Sequence, residues 1–158
     1  MTGARVLVAG IGNVLFGDDG FGVEVAKQVA ARGVPPHVRV ADYGTRGLHL
    51  ALDLTAQPYD VSVFVDAAPR GGSPGSLYLI EPDPEVAPVD AGNGHGMTVD
   101  GVLSMIQHLG GFRGRVLIVG CEPASTDEGI GLSAPVTNAI DGAVRMVFDC
   151  IEGRDKCA

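Results

Sequence analysis

Residues 6–22 run Val6-Leu7-Val8-Ala9-Gly10-Ile11-Gly12-Asn13-Val14-Leu15-Phe16-Gly17-Asp18-Asp19-Gly20-Phe21-Gly22. Val6 to Ala9 is a short apolar run ended by glycine, the pattern of a parallel strand buried on both faces. From Gly20 the period changes. Val23, Ala26, Val29 and Ala30 fall on one face of a helix that reaches Arg32, and Gly33-Val34-Pro35-Pro36 stops it. Strand, glycine-rich turn and helix in that order begin a β-α-β unit.

The same alternation continues along the chain. Val38–Ala41 reads as a second strand, Leu48–Leu54 as a short helix and Val61–Val65 as a third strand. Ser76–Ile80 is another strand, added after the turn Gly71-Gly72-Ser73-Pro74-Gly75. Residues 82–97, rich in Pro, Gly and Asp, read as a long loop, and such loops are usually functional. Val99, Val102, Leu103, Ile106 and Leu109 recur at helical spacing, and Arg115–Val119 is a fifth strand. Val136, Ile140, Ala143, Val144, Val147 and Ile151 form the stripe of a last helix that starts at Ser133 or Ala134, with Pro135 in its first turn. The expected fold is a three-layer α/β/α sandwich around a mostly parallel, twisted sheet of about five strands, with residues 1–158 as one domain.

Composition bounds what such a domain does. The chain has 158 residues, of which 46% are apolar and 19% charged, so it has the apolar surface for a packed core. Glycine accounts for 24 residues, about twice the usual share, and implies many places where the backbone turns or is closely approached. Nineteen acidic residues against eleven basic ones give a net charge of −8, which argues against nucleic acid and anionic membrane surfaces as partners. No run approaches the ~18 apolar residues of a membrane span. Three cysteines without a C-x-x-C suggest neither a disulfide framework nor a zinc knuckle, and the cytoplasm is the expected compartment.

Three familiar motifs fail on inspection. Gly10-Ile11-Gly12 begins like a dinucleotide fingerprint, but Leu15 stands where its third glycine belongs. Gly12 to Gly17 has P-loop spacing, but Asp18-Asp19 replaces Lys-Ser/Thr and would repel phosphate. Gly71-Gly72-Ser73-Pro74-Gly75 spells a nucleophile elbow, yet Pro74 lacks the N–H that an oxyanion hole requires.

In an open parallel sheet, ligands bind beyond the carboxyl ends of the strands. Asp18 and Asp19 follow the first strand, Asp42, Gly44 and Thr45 the second, Asp66 the third, and Cys121 and Glu122 the fifth. Arg46 and Arg70 are the nearest basic residues. Crowded carboxylates raise one another's pKa or recruit a cation, and an added histidine suits a borderline metal such as Ni²⁺ or Zn²⁺. His95, flanked by Gly94 and Gly96 ahead of a helix, is the best-placed histidine, whereas His37, His49 and His108 read as structural or surface residues. Each acidic group also has an ordinary alternative role. Asp18 or Asp19 could cap the first helix, and Asp42 could begin a turn with Gly44.

Gly10-Ile11-Gly12-Asn13 followed by Asp18-Asp19-Gly20-Phe21-Gly22 closely resembles the opening of the hydrogenase maturation endopeptidases, which trim the C-terminal extension of the nickel–iron hydrogenase large subunit. The resemblance continues at Asp42-Tyr43-Gly44-Thr45, Val65-Asp66-Ala67, Gly94-His95-Gly96 and Gly131-Leu132-Ser133, and so spans about residues 5–150. It implies an aspartate-dependent (aspartyl) protease in which Asp19, Asp66 and His95 bind a metal and Asp42 takes part in activity or substrate placement. Many members of that family carry Glu where this chain has Asp19, and glycine is common where it has Tyr43. The resemblance further implies that the metal is nickel already loaded in the precursor rather than a permanent cofactor. The partner would be the precursor large subunit, and the protease would act as a monomer. No serine or cysteine nucleophile with a base stands out, which leaves a water activated by a carboxylate or polarised by the metal. The rival readings are a hydrolase holding its own Zn²⁺ and a hydrogenase assembly chaperone that does not cleave. A flavin or nucleotide module is more distant.

Overall fold

The computed structural model describes residues 4–82 and 98–154. The chain runs β1 (Val6–Ile11), a 3₁₀ turn (Gly17–Gly20), α1 (Phe21–Arg32), β2 (Val38–Gly44), α2 (Gly47–Ala56), β3 (Val61–Ala67), β4 (Leu77–Ile80), α3 (Val99–His108), β5 (Arg115–Cys121) and α4 (Ala134–Ile151). The five strands lie in one sheet in the order β2-β1-β3-β5-β4. β1 pairs in parallel with β2 and β3, and β3 pairs in parallel with β5. β4 alone is antiparallel, on the outer edge of β5. The short connection from β3 to β4, residues 68–76, contains no crossover helix, so β4 returns antiparallel to the other strands, and the chain reaches β5 only after α3.

The alternation of side chains along β1 divides the interior in two. Val6 and Val8 face a core shared with Phe21, Val25 and Val29 of α1 and Val136, Ile140, Val144 and Val147 of α4. Leu7, Ala9 and Ile11 face a second core with Leu50 and Leu54 of α2 and Val102 and Ile106 of α3. Apolar residues on both faces explain why β1 and β3 read as unbroken hydrophobic runs. The expected three-layer α/β/α sandwich is therefore the observed fold. The element boundaries differ at their ends. β1, β2, β3 and β5 each run two or three residues further than their apolar cores, and α1 begins at Phe21 after the 3₁₀ turn.

Two glycines make the packing near β1 possible. A Cβ on Gly22 would overlap the carbonyl oxygens of Val65 and Ile11, so α1 reaches the ends of β1 and β3 only with hydrogen at that position. Gly12 has φ +133°, and its Cβ would overlap the carbonyl oxygen of Asp19.

The strand order places a topological switch point between β1 and β3. From β1 the chain moves outward to β2, and from β3 it moves outward in the opposite direction, so a crevice opens at their carboxyl ends.

Candidate functional site

Asp19 and Asp66 meet at this crevice. Gly10 pairs with Val65 at the end of the β1–β3 ladder, which sets Asp66 one residue beyond the last pair. Asp19 reaches the same place from the 3₁₀ turn. Both line an open cleft of about 850 Å³. Gly12 sits between them, for a Cβ there would also lie 3.4 Å from Asp66 Oδ1.

Each carboxylate is aimed by one backbone donor. The Asn13 N–H donates to Asp19 Oδ2 at 2.7 Å, and the Ala67 N–H donates to Asp66 Oδ1 at 2.8 Å. No described residue takes the second oxygen of either group, so each retains acceptor capacity toward the cleft. Asp66 is 8% exposed. Burial, then the negative charge of Asp19, push its pKa well above the ordinary value, against the single Ala67 hydrogen bond. A buried carboxylate beside a second negative charge is costly to ionise, and a shared cation would offset that cost. Two carboxylates supply only hard oxygen donors, and the imidazole that would suit a borderline ion is expected from His95. His95 lies outside the described residues, as does most of the loop around it. Among the described residues, no cluster of three or more His, Cys, Asp and Glu side chains forms a metal site.

Asp42 is placed differently. It lies in β2 opposite Gly10, is exposed, and does not line the cleft with Asp19 and Asp66. Its carbonyl accepts from the Arg46 guanidinium at 2.5 Å, and Thr45 is the residue of this turn that borders the cleft.

Neither Asp18 nor Asp19 caps α1, whose N-cap is Gly20 without a side-chain cap bond. Asp18 points instead into the protein and is 1% exposed. It accepts from the N–H groups of Ala124 at 2.8 Å, Ser125 at 3.2 Å and Ser133 at 2.7 Å, and from the Ser133 hydroxyl at 2.8 Å. Burial alone would raise its pKa, but these four bonds together hold it below the ordinary value. Asp18 therefore ties the turn bearing Asp19 to the segment that precedes α4. The sequence shows two adjacent aspartates; only their opposed directions separate their roles, and Asp18's partners lie 106 to 115 positions further on.

Glu122 has a similar anchoring role. Its Oε1 accepts from the Arg70 and Gly72 N–H groups at 2.8 and 3.0 Å and from the Tyr78 hydroxyl at 2.7 Å. Its pKa is lowered, chiefly by the Tyr78 bond and then by the backbone donors. Cys121 is buried at the end of β5, and burial followed by the charges of Asp18 and Glu122 pushes its thiol up to about 11. A protonated, enclosed thiol is a poor nucleophile. Gly71–Gly75 is a turn, as its glycines suggested: Gly71 and Gly75 have φ +85° and +89°, and the chain passes directly into β4.

Known proteins share this chain's sequence pattern and fold. The hydrogenase maturation protease family model matches residues 23–150. Over 153 residues the chain is 31% identical to the coenzyme F420 hydrogenase subunit delta of Methanothermobacter thermautotrophicus, covering 92% of this chain and 94% of that protein. It is 30% identical to the hydrogenase 2 maturation protease of Escherichia coli over 148 residues, covering 91% and 88% of the two chains. Among solved structures, the hydrogenase maturating endopeptidase HybD of E. coli superposes with a TM-score of 0.80 at 28% identity, covering 94% of this chain and 93% of that one. Sequence match over most of the chain and structural match over the same span lead to one conclusion: this chain belongs to the hydrogenase maturation protease family.

Proposed function

We propose that this protein is an endopeptidase that removes the C-terminal extension from a nickel-loaded nickel–iron hydrogenase large-subunit precursor. The observation that carries the reading is the Asp19–Asp66 pair, directed into an open cleft at the β1–β3 switch point of a family-typical fold. In this reading Asp19, Asp66 and His95 recognise nickel that arrives in the substrate. Nickel is thus part of what is bound, and the protein has no permanent cofactor of its own. Only a loaded precursor offers a metal to complete the site, so cleavage waits for insertion.

The residues divide the work by environment. Asp66 is the buried member of the pair, its pKa raised by burial and by the charge of Asp19, and Asp19 is the more accessible one. Water deprotonated by a carboxylate attacks the peptide carbonyl, and the proton is returned to the departing amine. Asp42, on the neighbouring strand end, serves substrate placement. An open cleft accommodates an extended segment of a protein, whereas a small-molecule site would be more enclosed.

The test is cleavage of nickel-loaded precursor by wild type and His95→Ala. The variant is expected to lose nickel-dependent cleavage while remaining folded. Full, nickel-independent activity of the variant would overturn the recognition role. A resident-zinc hydrolase would instead carry stoichiometric metal when purified without substrate, and a chaperone would leave the precursor at full length.

A further inference from the structure

The carboxylates of the cleft are unevenly opposed. Asp19, Asp66, Asp100, Asp127 and Glu128 all line it, while Arg70 is its only basic side chain among the described residues. Residues 83–97, outside the described residues, contain no lysine or arginine. An anionic group on an incoming peptide is therefore repelled along most of the cleft and attracted at one place.

Arg70 is also held as a binding group would be. Its own N–H and that of Gly72 are fixed by Glu122 Oε1, and Glu122 is itself 6% exposed and follows directly on β5. The Ala68 N–H donates to the Cys121 carbonyl at 2.8 Å, and the Gly75 N–H donates to the Glu122 carbonyl at 2.8 Å. The loop carrying Arg70 is thus stitched to the sheet at both ends and in its middle. The guanidinium lies over the Tyr78 ring, 5.7 Å from its centroid, and the Tyr78 hydroxyl closes on the same Glu122 oxygen. Among the described residues no carboxylate forms an ion pair with Arg70, so its forked donors remain available. The backbone bonds fix where the Arg70 side chain starts, while its exposed guanidinium rests over Tyr78 and faces the cleft lining.

From this placement we infer that Arg70 is a specificity-determining residue: it binds a carboxylate of the substrate polypeptide and so sets the register of the peptide across Asp19 and Asp66. This rests on the proteolytic reading for the identity of the polypeptide. The carboxylate comes either from an Asp or Glu side chain near the cut or from the C-terminus of the extension. Glu122 is a positioning residue that acts through Arg70.

The experiment uses the full chain and nickel-loaded precursor. Arg70→Ala is expected to raise KM about tenfold or more with kcat little changed, and Arg70→Lys to recover part of the loss. Precursors with single acidic residues neutralised, and one lengthened beyond its C-terminus, identify the source. The matching carboxylate is the one whose loss raises KM with wild type but adds nothing to Arg70→Ala. Affinity for the precursor, measured directly on the same variants, keeps the two ideas separable. If wild type binds but does not shorten the precursor, the proteolytic reading fails while Kd still reports on Arg70. An Arg70→Ala variant equal to wild type in both KM and Kd, or one coupled to no carboxylate of the precursor, would overturn the inference.

Discussion

Asp66 carries a conflict between stability and function. Its carboxyl is buried beside Asp19, and only one backbone N–H favours its charged form. The folded protein therefore binds the Asp66 proton more tightly than the unfolded chain does. The stability this contributes is full below the unfolded value near 4, and it is lost as pH rises through the folded value. Asn at this position keeps the acceptor for the Ala67 N–H and carries no charge. In metal-free protein at pH 7, Asp66→Asn is expected to raise Tm by about 2–4 °C, on the order of 1 kcal/mol, and the gap should close toward pH 4. The same variant should lose about a hundredfold or more in cleavage. Thermal melts across pH check this, and a variant less stable than wild type at pH 7 would contradict it. Position after the strands brought Asp18, Asp19, Asp42, Asp66 and Glu122 to one sheet edge without separating their roles, and only the family resemblance singled out Asp19 and Asp66. The inward role of Asp18 was not legible, since the donors that claim it lie 106 to 115 positions further on.

The elements were readable where one period dominates. α4 shows its apolar stripe over five turns, and β1 and β3 are continuous hydrophobic runs. The strand ends were less legible, because Asp42, Asp66 and Cys121 continue the sheet after the apolar residues stop or weaken. The antiparallel direction of β4 was not part of the alternation pattern and follows from its short connection to the sheet edge. Glycine at the β1–α1 junction is the tightest constraint among these elements. Gly22→Ala would drive its methyl group into backbone carbonyls of two strands, where no side-chain rotation relieves the overlap. The expected cost is about 3 kcal/mol, or roughly 10 °C in Tm, from the forced separation of α1 and β3. A melt within two degrees or so of wild type would show that the helix can shift without penalty.

At the scale of the whole molecule, acidity and glycine content acquire locations. The net charge of −8 argued only against nucleic acid and membrane surfaces; in the fold, five carboxylates gather around one cleft beside Arg70. No described helix is long and apolar enough to cross a membrane. The family resemblance of the β1–α1 motif extends through the complete five-stranded sheet, and the switch point accounts for why residues 47 positions apart share one site. Those features support a protease that reads a metal on another protein. The most direct test is the mass of the precursor large subunit after incubation with this protein, with and without nickel in the precursor. The account predicts a C-terminally shortened product from the nickel-loaded precursor and an intact chain from the nickel-free one. Equal shortening of both, or of neither while the two proteins bind, would contradict it.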